Sequence, residues 1–345
     1  MTTGTLTIDL DAIVANWRAL AAMTRAETAA VMKADAYGTG VPRVAAALAA
    51  AGARKFFVAV AEEGVALREA AGPGAEIFVL SGHGETDTAL IRQLNLTPVL
   101  NSPAQLRRQF DTLPGRPFAI QLDTGMNRLG FEWDDWAAVT DEVLAAGPRL
   151  IMSHLACADE VDHPMNAYQL DLFNQMTEGM RVARSLAATG GILLGPAYHF
   201  DVVRPGIGLY GAAPFGAGKN PLRLDIPVIQ TRALIEGEVV GYGNTWQAKR
   251  PTRVATLAAG YADGLQRALG NGAQFWHGEQ PCSLIGRISM DLITVDITDL
   301  SDEPASLCLI GPQQGVDVLA ETAKTIGYEI MTSMGARYNR QYIGG

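Results

Sequence analysis

The stretch RKFFVAVAEEGVALREAAGPGAEIFVLSG, residues 54–82, decides the fold. It opens on a strand-like run (RKFFVAVA), passes to a segment with helical spacing (EEGVALREAAG), and closes on a second strand-like run (EIFVLSG). Strand, helix, strand over so few residues predicts a parallel pair with a crossover helix.

The same alternation extends both ways. Upstream, LDAIVANWRALAAM has helical spacing with Asp9 or Asp11 available as a cap, TAAVMKA is strand-like, and VPRVAAALAAAG is helical with Gly52 as its stop. Downstream, the helical segments TDTALIRQL, SPAQLRRQFDTL and WDDWAAVTDEVLAAG alternate with the strand-like LTPVLN, PFAIQLDTG and LIMSHLA. Six such units by residue 156, with room for more before about residue 215, predict an α/β fold built on an N-terminal (β/α)8, TIM-like barrel. An open doubly wound sheet is the competitor, but no G-x-G-x-x-G follows the first strand.

Beyond the barrel the texture changes. Gly211, Pro214, Gly216 and Gly218 mark a linker within GLYGAAPFGAGKNPLRLD. The β-branched runs VIQTRALIEGEVVGYGN, TRVATLAAGYADG and CSLIGRISMDLITVDITD follow, separated by glycine turns. Residues 1–218 are therefore expected to form the barrel, and 219–345 a mostly β C-terminal domain with a short helix near VDVLAETAKTIG.

Composition sets the class. Over 345 residues, 48% apolar and 18% charged residues describe a globular enzyme with a large core. A net charge of −9 without basic runs argues against a nucleic-acid partner. Cys157, Cys282 and Cys308 lie far apart and form neither a disulfide framework nor a zinc site, which suits a reducing compartment. With no signal-like N-terminus and no uninterrupted membrane-length apolar run, a cytoplasmic protein is expected, with no membrane association.

Polar residues at strand ends carry the functional reading. In a barrel, chemistry gathers where strands end and helices begin. Lys33 follows the first strand, Arg128 lies beyond FAIQLD, His154 and Asp159 follow LIM, and Arg204 sits in VVRPGIGLYG. Taken alone, Lys33 also reads as a snorkelling lysine, His154 as a satisfied core histidine, and each arginine as a surface ion-pair partner. Together they make a poor metal site. They suit a phosphorylated planar cofactor joined to the lysine, with the glycine-flanked amides of RPGIGLYG as a phosphate cradle.

The motif AVMKADAYGTG resembles the pyridoxal-phosphate lysine motif of the alanine racemase family. LDTGMNRLG, SHLACADE, VRPGIGLYG, GYADGLQR and GRISMD continue the match in the family's order, over nearly the whole chain. The resemblance implies a pyridoxal 5'-phosphate enzyme interconverting L- and D-alanine for cell-wall peptidoglycan. It also implies a homodimer in which each site is completed by the other copy's β domain. Lys33 resembles the Schiff-base lysine and one catalytic base, and Tyr261 the second base, supplied across the dimer. Two bases suit racemisation, because the proton leaves one face of the α-carbon and another arrives on the opposite face.

Arg204 resembles the arginine facing the pyridine nitrogen. Tyr37, Thr189, Gly206 and Ile207 match phosphate-binding positions, and His154 the residue packed on the cofactor ring. Arg128 and the backbone at Met290 match contacts to the cofactor oxygen and the substrate carboxylate. Two positions depart from the family pattern. Gln121 stands where many members carry a lysine that becomes carbamylated, so a hydrogen bond from Arg128 to the Gln121 amide oxygen is expected in its place. Ala336 aligns with a tyrosine near the phosphate. Broader amino-acid specificity, decarboxylation and cofactor carriage without turnover are the competing functions.

Overall fold

The computed structural model describes residues 3–345. The chain divides into two compact units, one of residues 13–36 and 40–218, the other of 3–12, 37–39 and 219–345.

In the first unit, seven strands pair in parallel in chain order: Ala30–Val31, Lys55–Val58, Glu76–Val79, Thr97–Leu100, Ala119–Gln121, Ile151–Met152 and Arg184–Ser185. The eighth, Val202–Val203, pairs in parallel with Glu27–Thr28, the leading half of the first strand, and Arg204 bridges to Ala188 beside the seventh. The sheet thus closes on itself, giving the expected (β/α)8 barrel. Its central strands are buried at nearly every position, the pattern of a parallel sheet covered by helices.

Local chemistry sets the helix ends. Val41–Ala51 carries a proline in its first turn and stops at Gly52, whose φ of 118° only glycine adopts readily. Ser102 caps Pro103–Thr112, its hydroxyl accepting the Gln105 N–H. Behind the strands, Leu100, Ile120, Phe131, Trp136, Phe173 and Leu186 share one buried cluster.

The second unit is mostly β. Leu222–Leu234, Thr252–Leu257, Ile293–Asp296, Gln280–Ile285, Gln274–His277 and Ser306–Ile310 form an antiparallel ring, closed because Leu222–Leu234 pairs with both Thr252–Leu257 and Ser306–Ile310. Two further strands extend this sheet. Thr5–Asp9 pairs antiparallel with Leu222–Leu234 and parallel with Asn339–Ile343. A division at residue 218 would give Thr5–Asp9 to the barrel; its alternating TLTID pattern instead buries Leu6 and Ile8 in the β unit. Asp9 is the cap of the helix that follows, accepting the Ala12 N–H at 2.9 Å. Two short helices, Val316–Ala323 and Gly327–Thr332, stand where one was expected. No helix among the described residues is long and apolar enough to cross a membrane.

Candidate active site

The first barrel strand ends at Val31, and the next residue, Met32, donates its N–H to Phe57 O at 2.7 Å. Lys33 follows, and the chain then turns left-handed. Ala34, Asp35, Ala36 and Tyr37 take φ values of 53°, 52°, 53° and 57° with no glycine among them. Each such residue costs about 1–2 kcal/mol, so the neighbours must over-determine the turn. Ala36 N–H donates to Met32 O and Gly40 N–H to Asp35 O, both at 2.9 Å. The Asp35 carboxylate accepts the Val41 N–H at 2.8 Å, and Ala34 N–H donates to Glu63 Oε1 at 2.7 Å. The amine held by this turn has its pKa lowered, chiefly by burial and then by the charge of Arg128, while Glu63 pulls the other way. A lysine so placed reaches its nucleophilic free-base form more readily than one in water.

Arg204 leaves the eighth strand into the same end of the barrel. It is 3% exposed and donates to Ser185 Oγ, Ser153 O (2.7 Å), Leu186 O and His154 Nδ1 (3.4 Å). Its Nε–H takes part in none of these bonds, and no carboxylate pairs with it among the described residues. Burial pulls it down to about 9, which leaves it cationic at neutral pH. A buried guanidinium facing only neutral acceptors suits a neutral ring nitrogen as its remaining partner.

His154 is pushed down to about 3 by desolvation, then by Arg204, Arg128 and Lys33, so it is a neutral ring at working pH. Its backbone is fixed by Gln169, wholly buried, which donates to His154 O at 2.9 Å and accepts the Ala156 N–H at 2.8 Å.

Thr189 opens a short helix, and its hydroxyl accepts the N–H groups of Gly206 and Gly208, each at 3.2 Å. Ile207, 1% exposed, lies between those glycines. These two amides converge on a single oxygen acceptor, and a phosphate oxygen is an acceptor of the same kind. The lysine, the unpaired arginine donor and these amides all belong to the barrel unit, and they fit pyridoxal phosphate.

Arg128 lies exposed in the loop between Leu122 and Phe131, which pair as an isolated bridge. Asp123 organises that loop, its Oδ1 accepting the N–H of Gly125 (2.8 Å) and of Asn127 (3.1 Å). Gln121 is 8% exposed on the fifth strand. The expected hydrogen bond between Arg128 and the Gln121 amide is not formed. The glutamine side chain is held at the barrel wall with its Cγ beside Gly130, and the Arg128 side chain is exposed. Arg128 nonetheless acts on Lys33 and His154 through its charge. Asp159, beyond His154, has its pKa raised by burial.

Tyr37, Tyr261 and Met290 belong to the other unit. Tyr261 opens a short 3-10 turn, Tyr261–Asp263, whose backbone is tied to the GRISMD segment. Tyr261 N–H donates to Ser289 O and Ala262 N–H to Met290 O, both at 3.0 Å. A side chain at Gly260 would put its Cβ 2.3 Å from Met290 O, so only glycine permits this approach. Beneath the turn, buried Asp263 accepts from Gly260 N–H (2.9 Å) and from Arg337 at 2.6 and 2.8 Å, and Arg337 also donates to Asp291 at 2.7 Å. Tyr261 and Met290 are 43% and 54% exposed. Tyr37 is buried beside Tyr328, ring centroids 6.0 Å apart, and burial raises its pKa. Ala336 precedes Arg337 in this structural cluster, with no hydroxyl to offer.

Sequence reasoning passes over Glu63, Ser153, Ser185, Gln169 and the Asp263–Arg337 pair. Each reads as an ordinary helix, strand or loop residue; folding gathers the first four around Lys33, Arg204 and His154 in the barrel unit, and the last pair beneath Tyr261 in the β unit.

The barrel and its lysine-centred site define a pyridoxal-phosphate enzyme. The chain belongs to the alanine racemase family: residues 8–214 match the alanine racemase N-terminal domain and 222–342 the C-terminal domain. An alanine racemase of Dinoroseobacter shibae is 61% identical across 100% of this chain and 99% of that protein. The structure of an alanine racemase from Bartonella henselae with covalently bound pyridoxal phosphate has a TM-score of 0.94, with 36% identity over 99% of this chain and 100% of that one. The biosynthetic alanine racemase of Pseudomonas aeruginosa gives 0.93 at 35% identity, covering both chains in full.

Proposed function

We propose that this protein interconverts L- and D-alanine with two bases, Lys33 and Tyr261, acting from opposite faces of the α-carbon. The observation that carries the reading is Lys33, a lysine at a barrel strand end whose ammonium form is disfavoured by burial and by Arg128. Bound pyridoxal phosphate supplies the electron sink that makes the α-proton acidic. Lys33 carries the cofactor and then holds or returns the proton on one face. Tyr261, contributed by a second copy of the chain in a homodimer, serves the other. Thr189, Gly206, Ile207 and Tyr37 hold the phosphate, and His154 packs on the ring.

Arg204 stays cationic at neutral pH and can only donate, so a ring nitrogen held against it would be kept unprotonated. That weakens the sink and favours return of the proton over other outcomes. Arg128 and the backbone at Met290 orient the substrate carboxylate. In this reading residues 1–218 carry the cofactor and 219–345 lend the second base, although 3–12 and 37–39 pack with the latter. The reaction supplies D-alanine for peptidoglycan and takes place in the cytoplasm, in keeping with three free cysteines. Incubating each alanine enantiomer in heavy water, followed by chiral analysis, tests this. Deuterium should enter the α-carbon with inversion from both sides; exchange without inversion, or release of carbon dioxide, would sink the assignment.

A further inference from the structure

The left-handed turn behind Lys33 is closed by local hydrogen bonds at Ala36 and Gly40, but the first amide after the lysine, Ala34 N–H, finds its acceptor far along the chain. That acceptor is Glu63 Oε1, at 2.7 Å. The other carboxylate oxygen, Oε2, accepts Ala59 N–H at 2.7 Å, just beyond strand Lys55–Val58. One carboxylate thus ties the ends of two neighbouring barrel strands at the face that bears the lysine. Both bonds are short and charge-assisted. Glu63 is the first residue of helix Glu63–Ala71, an end where the macrodipole favours a carboxylate.

We propose that Glu63 is a positioning residue for Lys33, clamping its left-handed turn to the second barrel strand and setting a negative charge against the residue that follows the lysine. The inference rests on Lys33 being the cofactor lysine. Three charged or titratable groups act with or on that amine. Arg128 disfavours its protonated form, Glu63 favours it, and His154, neutral at working pH, senses the lysine in turn. Without Glu63, the lysine would lose an attractive partner while keeping a repulsive one.

Glu63→Gln keeps the length of the side chain and one carbonyl acceptor, but removes the charge and turns an amide N–H towards one of the two donors. In the holoenzyme, hydrogen–deuterium exchange in peptides covering Ala34 and Ala59 should quicken by about tenfold. The pH midpoint of the bound cofactor's visible absorption should fall by about one unit, because an opposite charge near the lysine has been lost. Glu63→Asp, shorter but still charged, should quicken exchange while leaving the midpoint within a few tenths. Glu62→Gln, on the exposed neighbour, should change neither. Parent-like exchange in Glu63→Gln would overturn the clamp, and faster exchange with an unmoved midpoint would overturn the role at the amine. Borohydride trapping with mass mapping separates this from the underlying assignment, since cofactor found on a lysine other than Lys33 would sink that reading whatever Glu63 does.

Discussion

The two units place their chemistry in opposite ways. In the barrel unit the candidate site side chains Arg204 and His154 are held by interlocking hydrogen bonds, with Arg128 the exposed exception. Arg204 is spent on Ser153, Ser185 and His154, and His154 hangs on Gln169. In the β unit the scaffold is buried and the proposed site residues are not. Asp263 and its bonds to Gly260 and Arg337 lie beneath a turn that leaves Tyr261 and Met290 exposed. Interlocked burial tunes charge states, as the depressed Lys33, His154 and Arg204 show. An exposed tyrosine on a rigid backbone is only aimed, which is what the proposed second base requires.

The largest expected effect removes the tuned amine. Lys33→Ala should lower turnover in both directions by about 10⁴-fold or more. Melting of the cofactor-free protein should be unchanged or slightly higher, because a desolvated amine has been removed from a site that disfavours its charge. A marked loss of stability would mean that Lys33 holds the barrel face together, and the contrast between tuning and scaffolding would fail.

Gly264→Ala inverts that pattern. Gly264 has φ +91°, and an added Cβ would lie 1.8 Å from Ser333 O. The turn cannot accept it without moving, and a destabilisation of about 4 kcal/mol or more is expected, among the largest that single substitutions give. Thermal unfolding followed by a probe in the β unit, such as Trp276 fluorescence, measures it. A variant that melts like the parent would show the GYADG backbone to be adaptable.

Tyr261→Phe separates aim from support. The hydroxyl belongs to an exposed side chain, so stability should stay within about 0.5 kcal/mol. Racemisation should fall by about 10²–10³-fold, the range of one lost acid–base group. With Lys33 intact, α-proton exchange should persist from one enantiomer and nearly vanish from the other. Equal residual exchange from both would remove Tyr261 as a face-specific base.

The sequence makes parts of this contrast legible and hides others, for physical reasons. Strands such as Lys55–Val58 and Glu76–Val79 announce themselves because both faces are buried. Arg184–Ser185 is two residues long, and its serine reaches Val202 O only through the closed ring. Thr5–Asp9 shows a clean alternation, yet its partners are over two hundred residues away, and no local signal names them. The left-handed turn is equally silent, since KADAY holds no glycine and the bond from Ala34 to Glu63 that helps fix it is long-range. Lys33, Arg204 and Tyr261 are visible through their motifs, but the serines and glutamine that lock the barrel set are not.

The smallest expected effect concerns Gln121, where motif reasoning and geometry part. A charge-assisted bond from Arg128 to Gln121 would make Gln121→Ala lose about tenfold in turnover, the equivalent of about 1.4 kcal/mol. The structure has no such bond. The glutamine is 8% exposed at the barrel wall, and the arginine is exposed on a loop organised by Asp123. Turnover of Gln121→Ala should therefore fall less than about threefold, with a stability cost of about 1 kcal/mol for the truncated buried side chain. The parent should be indifferent to bicarbonate, because an amide cannot form a carbamate. Gln121→Lys would gain that ability, and a bicarbonate-dependent rise confined to this variant would show that the position still reaches Arg128 when given a longer, charged group. A tenfold loss in Gln121→Ala would show instead that Arg128 swings onto the glutamine in the working enzyme. One member of the barrel set would then be aimed only on loading, as Tyr261 is aimed by its turn, and the division between a tuned unit and an aimed one would no longer follow the boundary between the folds.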